Sequence, residues 1–245
     1  MNRKIFQTVA FLMAVCLVTA ALSGCSLLLA GETAVNKLDS AKDELNALQS
    51  EVGQSVSSVI SQVQEQQKKL TLGTVDGDRW ENEYLGIGCQ LKGYTFFSQE
   101  EIKDLNQLTA DLVDNEAYTK ALESAQVVQS MYAHKNSQLD TVNVVMEKVT
   151  VASASYSAQE YAQAGKKATE QAMSNLLEDV SVTVGTVTFL GEQHPAVIIT
   201  GSVNGMRLVQ KQAVLRRGSY FCAVTASSYT GENPDDILAK FYAVD

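Results

Sequence analysis

The chain has 245 residues, of which 45% are hydrophobic and 19% charged. That composition excludes an intrinsically disordered chain, and the length allows one domain of ordinary size plus an extension. A formal net charge of −9 leaves no electrostatic footprint for nucleic acid and predicts solubility beside an anionic surface rather than adhesion to it.

The N-terminus opens with Asn2-Arg3-Lys4, continues in an apolar run over residues 9–18 and reaches Leu22-Ser23-Gly24-Cys25. A positive start, a short apolar stretch and small residues before a cut site read as a secretory signal over residues 1–24. The cut site resembles the bacterial lipobox. The resemblance implies that the Cys25 thiol receives a diacylglycerol and that Cys25 becomes the first residue of the mature chain. Two acyl chains anchor durably where one would not. The alternative is an uncleaved membrane helix over residues 5–30. Either reading puts the remainder on the extracytoplasmic face of a cell membrane. Loss of residues 1–24 removes Arg3 and Lys4 and no acid, taking the net charge from −9 to −11.

Residues 25–72 read as a lipid-anchored stalk. Between 33 and 70 there is no Pro, no aromatic residue and a single Gly, Gly53. Apolar residues recur at Leu38, Ala41, Leu45, Leu48, Val52, Val56, Val59 and Val63, a helical stripe with one stutter. The spacing predicts one long N-terminal helix, about 50 Å if straight at 1.5 Å per residue. Its narrow stripe fits a solvated spacer, a helix lying back on the domain, or a weak coiled coil, through which the chain would form a homo-oligomer.

From residue 73 to 245 the pattern becomes mixed. Leu85, Ile87, Cys89 and Leu91 alternate with Gly86, Gly88 and Gln90 as in a half-buried strand. Ser98-Gln99-Glu100-Glu101 is a capping box that opens a helix through Leu112, and Ser157-Ala158-Gln159-Glu160 opens another toward Leu177. A β-branched run predicts a strand at 142–149. Further strands are expected at 180–190, 195–203, 206–216 and 219–228. Asn204-Gly205 marks a tight hairpin, since both turn positions need φ > 0. Short consecutive connections require antiparallel neighbours. Asn233-Pro234-Asp235-Asp236 starts a closing helix running to Tyr242. The expected class is α+β: an antiparallel β-sheet meander with helices packed on one face.

Asn82-Glu83-Tyr84-Leu85-Gly86-Ile87-Gly88 followed by Gly93-Tyr94-Thr95-Phe96, then helix, central strand, long helix, meander and closing helix, resembles the PsbP-like α/β/α fold of small lipoproteins from clostridial-type bacteria. The resemblance covers residues 74 to the end. The usual Pro before the Gly-aromatic step is replaced by Leu91-Lys92. It implies an extrinsic or partner-binding module and carries over no functional residue.

Chemistry is sparse. His134 and His194 have no metal-ligand spacing and read as solvated or turn residues. Asp76-Gly77-Asp78 with Glu81 and Glu83 lacks the calcium-loop register and reads as a polar turn. No phosphate-cradling loop or nucleophile motif is present. Cys89 and Cys222 are an even pair in an oxidising compartment. They read either as a disulfide or as two buried free thiols. Arg207, Lys211 and Arg217 share strand parity and form a basic stripe, either a solvated sheet face or the contact for an acidic envelope protein. The expectation is a non-enzymatic binding or scaffolding module without metal or cofactor. A carrier of a small hydrophobic ligand and an enzyme with an unrecognised site are the alternatives.

Overall fold

The computed structural model describes residues 70–106 and 127–244. The signal, Cys25 and all but the last three residues of the expected stalk lie outside the described residues, as does the second half of the helix expected to end at Leu112. Among the described residues no helix is long and apolar enough to cross a membrane.

Two antiparallel sheets form the domain. The smaller contains β1 (Thr74–Asp76), β2 (Arg79–Asn82), β3 (Ile87–Gln90) and β11 (Phe241–Ala243), in the order β1-β2-β3-β11. The larger contains β4 (Thr95–Phe96), β5 (Val127–Lys135), β6 (Asp140–Lys148), β7 (Glu178–Phe189), β8 (Glu192–Val203), β9 (Met206–Arg217) and β10 (Tyr220–Ser228). Its order is β4-β5-β6-β10-β9-β8-β7, so the expected meander β7 to β10 joins the β5–β6 hairpin through β6 and β10. Three helices, α1 (Gln99–Leu105), α2 (Ala158–Ser174) and α3 (Pro234–Leu238), complete the described α+β unit.

Local signals explain most element ends. In both capping boxes the serine hydroxyl accepts the N–H of the glutamate three residues on, and the glutamate carboxylate accepts the serine N–H at 2.8 Å. At the β8–β9 turn Asn204 has φ 50° and Gly205 φ 76°, as a primed hairpin turn requires. The closing helix is shorter than expected. It stops at Leu238, and Phe241–Ala243 pairs as β11 with Cys89, Gly88 and Ile87. Burial of Phe241 against the Phe189 ring, centroids 5.3 Å apart, draws this segment out of the helix.

Both faces of the large sheet are covered, not one. On one face Val142, Val144, Met146, Leu215, Cys222 and Val224 form a core with Trp80, Leu85, Ile87, Cys89 and Leu91 of the small-sheet layer and with Ile237 and Leu238 of α3. Each large side chain buried here contributes about 1.5–3 kcal/mol. On the other face Val182, Val197, Ile199, Leu208 and Val214 meet α2. The buried stripe of α2 is Ala162, Gly165, Thr169 and Met173, mostly small residues at helical spacing, which lets the helix axis approach the strands.

The compact unit starts at Leu70, three residues before the expected boundary. Leu70 and Leu72 are buried in the core. Trp80 Nε1 and Ser130 Oγ donate to the Leu72 carbonyl at 3.1 and 3.0 Å, and Asn82 Nδ2 donates to the Thr71 carbonyl at 2.8 Å. These contacts fix the incoming chain to both sheets.

Candidate functional site

The α2-facing side of the large sheet carries a block of polar residues where a core is usually apolar. The register places Tyr132, Asn143, Thr225 and Gln212 opposite one another across β5, β6, β10 and β9. Two residues along, His134, Thr141, Ser227 and Gln210 form a second row on the same four strands. Side chains of like parity share a face, so the rows form one array of amides and hydroxyls. Seven of the eight residues are buried, all but the half-buried His134. Apolar residues border the array: Val145, Ala223 and Val214 on one side, Val197 and Ile199 at the β8 end.

The array is only partly satisfied. Gln212 Nε2 donates to Thr225 Oγ1 at 3.3 Å, and Ser227 Oγ donates to Gln210 Oε1 at 3.0 Å. Beside them Asn143 is 0% exposed, and neither its Nδ2 nor its Oδ1 has a hydrogen-bond partner. Gln210 is also 0% exposed, with Nε2 unpartnered. Each buried polar group left without a partner costs about 1–3 kcal/mol, and such groups are rare in native proteins.

Aromatic rings close the β5 end. Phe97 lies 4.6 Å from the Tyr132 ring and 5.9 Å, edge to face, from His134. Burial pushes the His134 imidazole below its ordinary pKa, against a smaller opposing pull from Glu101. Further along this face Tyr161 stacks on Phe221 at 4.1 Å, and its hydroxyl donates to Glu147 at 2.6 Å. Burial raises the Glu147 carboxyl despite that hydrogen bond. Arg216 donates to the carbonyls of Ala154 and Tyr156 and lies over the Phe221 ring.

The residues singled out from sequence sit elsewhere. Cys25 is outside the described residues. Cys89 and Cys222 are free thiols, each fully buried, and no disulfide joins them. Cys89 lies on β3 of the small sheet and Cys222 on β10 of the large one, each filling core space as a small apolar group. Burial pushes both thiols up to about 12, which removes them as nucleophiles. The basic stripe is not an open face. Lys211 forms an ion pair with Asp235 of α3 at 2.5 Å, and Arg217 Nε donates to the Leu85 carbonyl at 3.0 Å, so both tie the covering layer to the sheet. Arg207 alone of the three is exposed. His194 packs edge to face on Phe189, and burial lowers its pKa. Gly77, at φ 60°, turns β1 into β2, and among the described residues no group of three His, Cys, Asp or Glu is placed to hold a metal ion.

Two other features are structural. Asp140, 0% exposed, accepts from Ser228 and Thr230 hydroxyls at 2.6 Å each and from the Asn136 amide. Burial would raise this carboxyl, but the hydrogen bonds prevail and hold it below its ordinary value. They brace the β5–β6 turn, where Asn136, Ser137 and Gln138 all have positive φ. A shallow cleft beside Trp80, lined by Leu72, Val75, Phe97, Ile102 and Met131 among others, has a volume of about 10 Å³, room for about one water molecule. It falls below the roughly 300–1,000 Å³ of small-molecule sites.

No family model matches the chain, and no curated protein matches it. Solved structures do. One from Bacteroides thetaiotaomicron VPI-5482 is 8% identical at TM-score 0.39, covering 70% of this chain and 50% of the other. PA94 from Pseudomonas aeruginosa, described as a protein of unknown function and putative regulator, is 13% identical at TM-score 0.27, covering 38% and 62%. LpqN from Mycobacterium tuberculosis, described as involved in cell envelope biogenesis, is 11% identical at TM-score 0.32, covering 47% and 72%. The chain thus spans half the length of the first of these.

Proposed function

We propose that this chain is a lipoprotein of the PsbP-like kind, tethered by Cys25 to the extracytoplasmic face of a cell membrane, and that its outer domain is a non-enzymatic binding module. The candidate contact is the double row of amides and hydroxyls on β5, β6, β10 and β9, which is buried in this structure. One observation carries this reading: the fully buried Asn143 amide, at the centre of the array, has no hydrogen-bond partner within the protein. A fold that maintains such a group tolerates a loss of stability that a bound ligand would recover. The signal-like N-terminus and Leu-Ser-Gly-Cys motif support the tether.

Hydrogen exchange tests the binding face. Strands β6, β9 and β10 are expected to exchange more slowly in intact envelope than in the purified full chain, and Asn143→Val should abolish the difference. Equal exchange in both settings contradicts a bound state at this face. For the tether, mass spectrometry of the mature N-terminus should find acylated Cys25; an unlipidated N-terminus elsewhere contradicts it.

A further inference from the structure

We infer that β7 is an interface: two copies of this chain pair along it, antiparallel, and join their large sheets into one. This goes beyond the proposed ligand contact and does not depend on it.

The large sheet ends in β4 on one side and in β7 on the other. β4 has two residues, and the outer strands of the small sheet, β1 and β11, have three each. β7 has twelve residues, paired with β8 on one side and with no strand on the other among the described residues. Along that free side a row of backbone N–H and C=O groups is open to another strand. Long edges are usually blunted by Lys, Pro, an inward charge or a bulge. Here residues 180–189 contain no charged residue and no Pro, and all but Ser181, Gly185 and Phe189 are Val or Thr, types that favour strand pairing. The register shift in β7 lies only at its start, between Glu178 and Ser181, where Asp179 has φ 50°.

The side chains along this edge suit a second copy of themselves. Val180, Val182 and Val184 face α2, but Val180 and Val184 are only partly buried there. Ser181, Thr183, Thr186 and Thr188 are exposed. Joining two sheets by a two-fold axis keeps like faces together, so opposed residues share parity. An axis at Val184 sets Val184 against its counterpart, Val182 against Thr186 and Val180 against Thr188, pairs of the kind that stabilise antiparallel neighbours. It also lays Glu178 and Asp179 of each copy beside the uncharged Phe189-Leu190 end of the other. The acids of the two copies then lie about 35–40 Å apart, at about 3.4 Å per residue. Parallel pairing would set them side by side, where like charges repel. Two-fold pairing uses up the β7 edge on both copies, and the two-residue β4 edge is too short to extend the sheet, so assembly stops at two. The tether proposed above would hold copies in one membrane plane and raise their effective concentration.

The test is sedimentation equilibrium on the full chain in density-matched detergent, where a reversible dimer is expected. Thr183→Lys is an exposed change that sets two ammonium groups diagonally across the axis. It should weaken the dimer by about tenfold or more, while Thr183→Val should retain it. Circular dichroism checks that both variants keep the fold. Cross-linking gives a second readout. With a short bifunctional thiol reagent, Val184→Cys should yield a covalent dimer and Thr188→Cys should not. Cys89 and Cys222 are buried, with thiols pushed up to about 12, and give no background. A monomer at every concentration overturns the inference. So does a dimer that Thr183→Lys leaves unchanged, which assigns self-association to another part of the chain. No cross-link at 184, or one at 188, overturns the antiparallel pairing, and higher-order assembly contradicts closure at two. None of these outcomes bears on the polar rows.

Discussion

Asn143 and Asp140 are both buried polar residues on β6, and their surroundings give them opposite roles. The Asp140 carboxylate has partners from Ser228, Thr230 and Asn136. Asp140→Ala should cost on the order of 3 kcal/mol, since it removes charge-assisted hydrogen bonds and leaves their donors without a partner. The pH dependence has a definite sign. The folded-state pKa is depressed, so the stabilisation is complete above the unfolded value of about 3.9 and is lost as pH falls through the lower folded value. Urea unfolding of both forms should show a constant gap at neutral pH that narrows below about pH 4. A gap independent of pH down to 2 contradicts the assignment. Asn143 lacks such partners, and none of this was legible in the sequence. Thr141 and Asn143, Gln210 and Gln212, Thr225 and Ser227 are polar pairs two residues apart, a pattern that a solvated sheet face gives equally well. Only the register stacks them into one buried block.

Elements were legible where local chemistry dictates them. Both capping boxes, the meander and the Asn204-Gly205 hairpin follow from residues adjacent in sequence. At Gly205, φ is 76° and an added Cβ would meet nothing within 4 Å. Gly205→Val should therefore cost about 1–3 kcal/mol through backbone strain alone, and an unchanged melting temperature contradicts the turn geometry. Elements made by distant pairing were not legible. The three-residue strands β1 and β11 have no period of their own and exist through β2 and β3. The 127–135 strand escaped because the bulge at Ser130 reverses its parity, so Val128 and Met131 point to one face although they are three positions apart. The basic stripe was correct in parity, but only Arg207 is exposed, because Lys211 and Arg217 bond to a covering layer that the strand's own sequence does not announce.

At the scale of the molecule, the domain is held together by its first residues as well as by its sheets. A fragment starting at residue 74 lacks Leu70 and Leu72 and leaves Trp80 Nε1 without its acceptor. It should melt at least about 4 °C below a fragment starting at residue 70, given the loss of buried apolar area and a buried hydrogen bond. Equal melting temperatures would make the suture dispensable. The same trade between stability and use runs through the binding face. If the Asn143 amide is retained for a ligand, the ligand-free protein is less stable than it could be. The melting temperature of purified full-length Asn143→Val, set against wild type, tests this most directly. The account predicts a rise, reflecting the removal of two unpartnered polar groups worth about 1–3 kcal/mol each; a fall would make the amide part of the fold's own network and contradict its reading as a ligand contact.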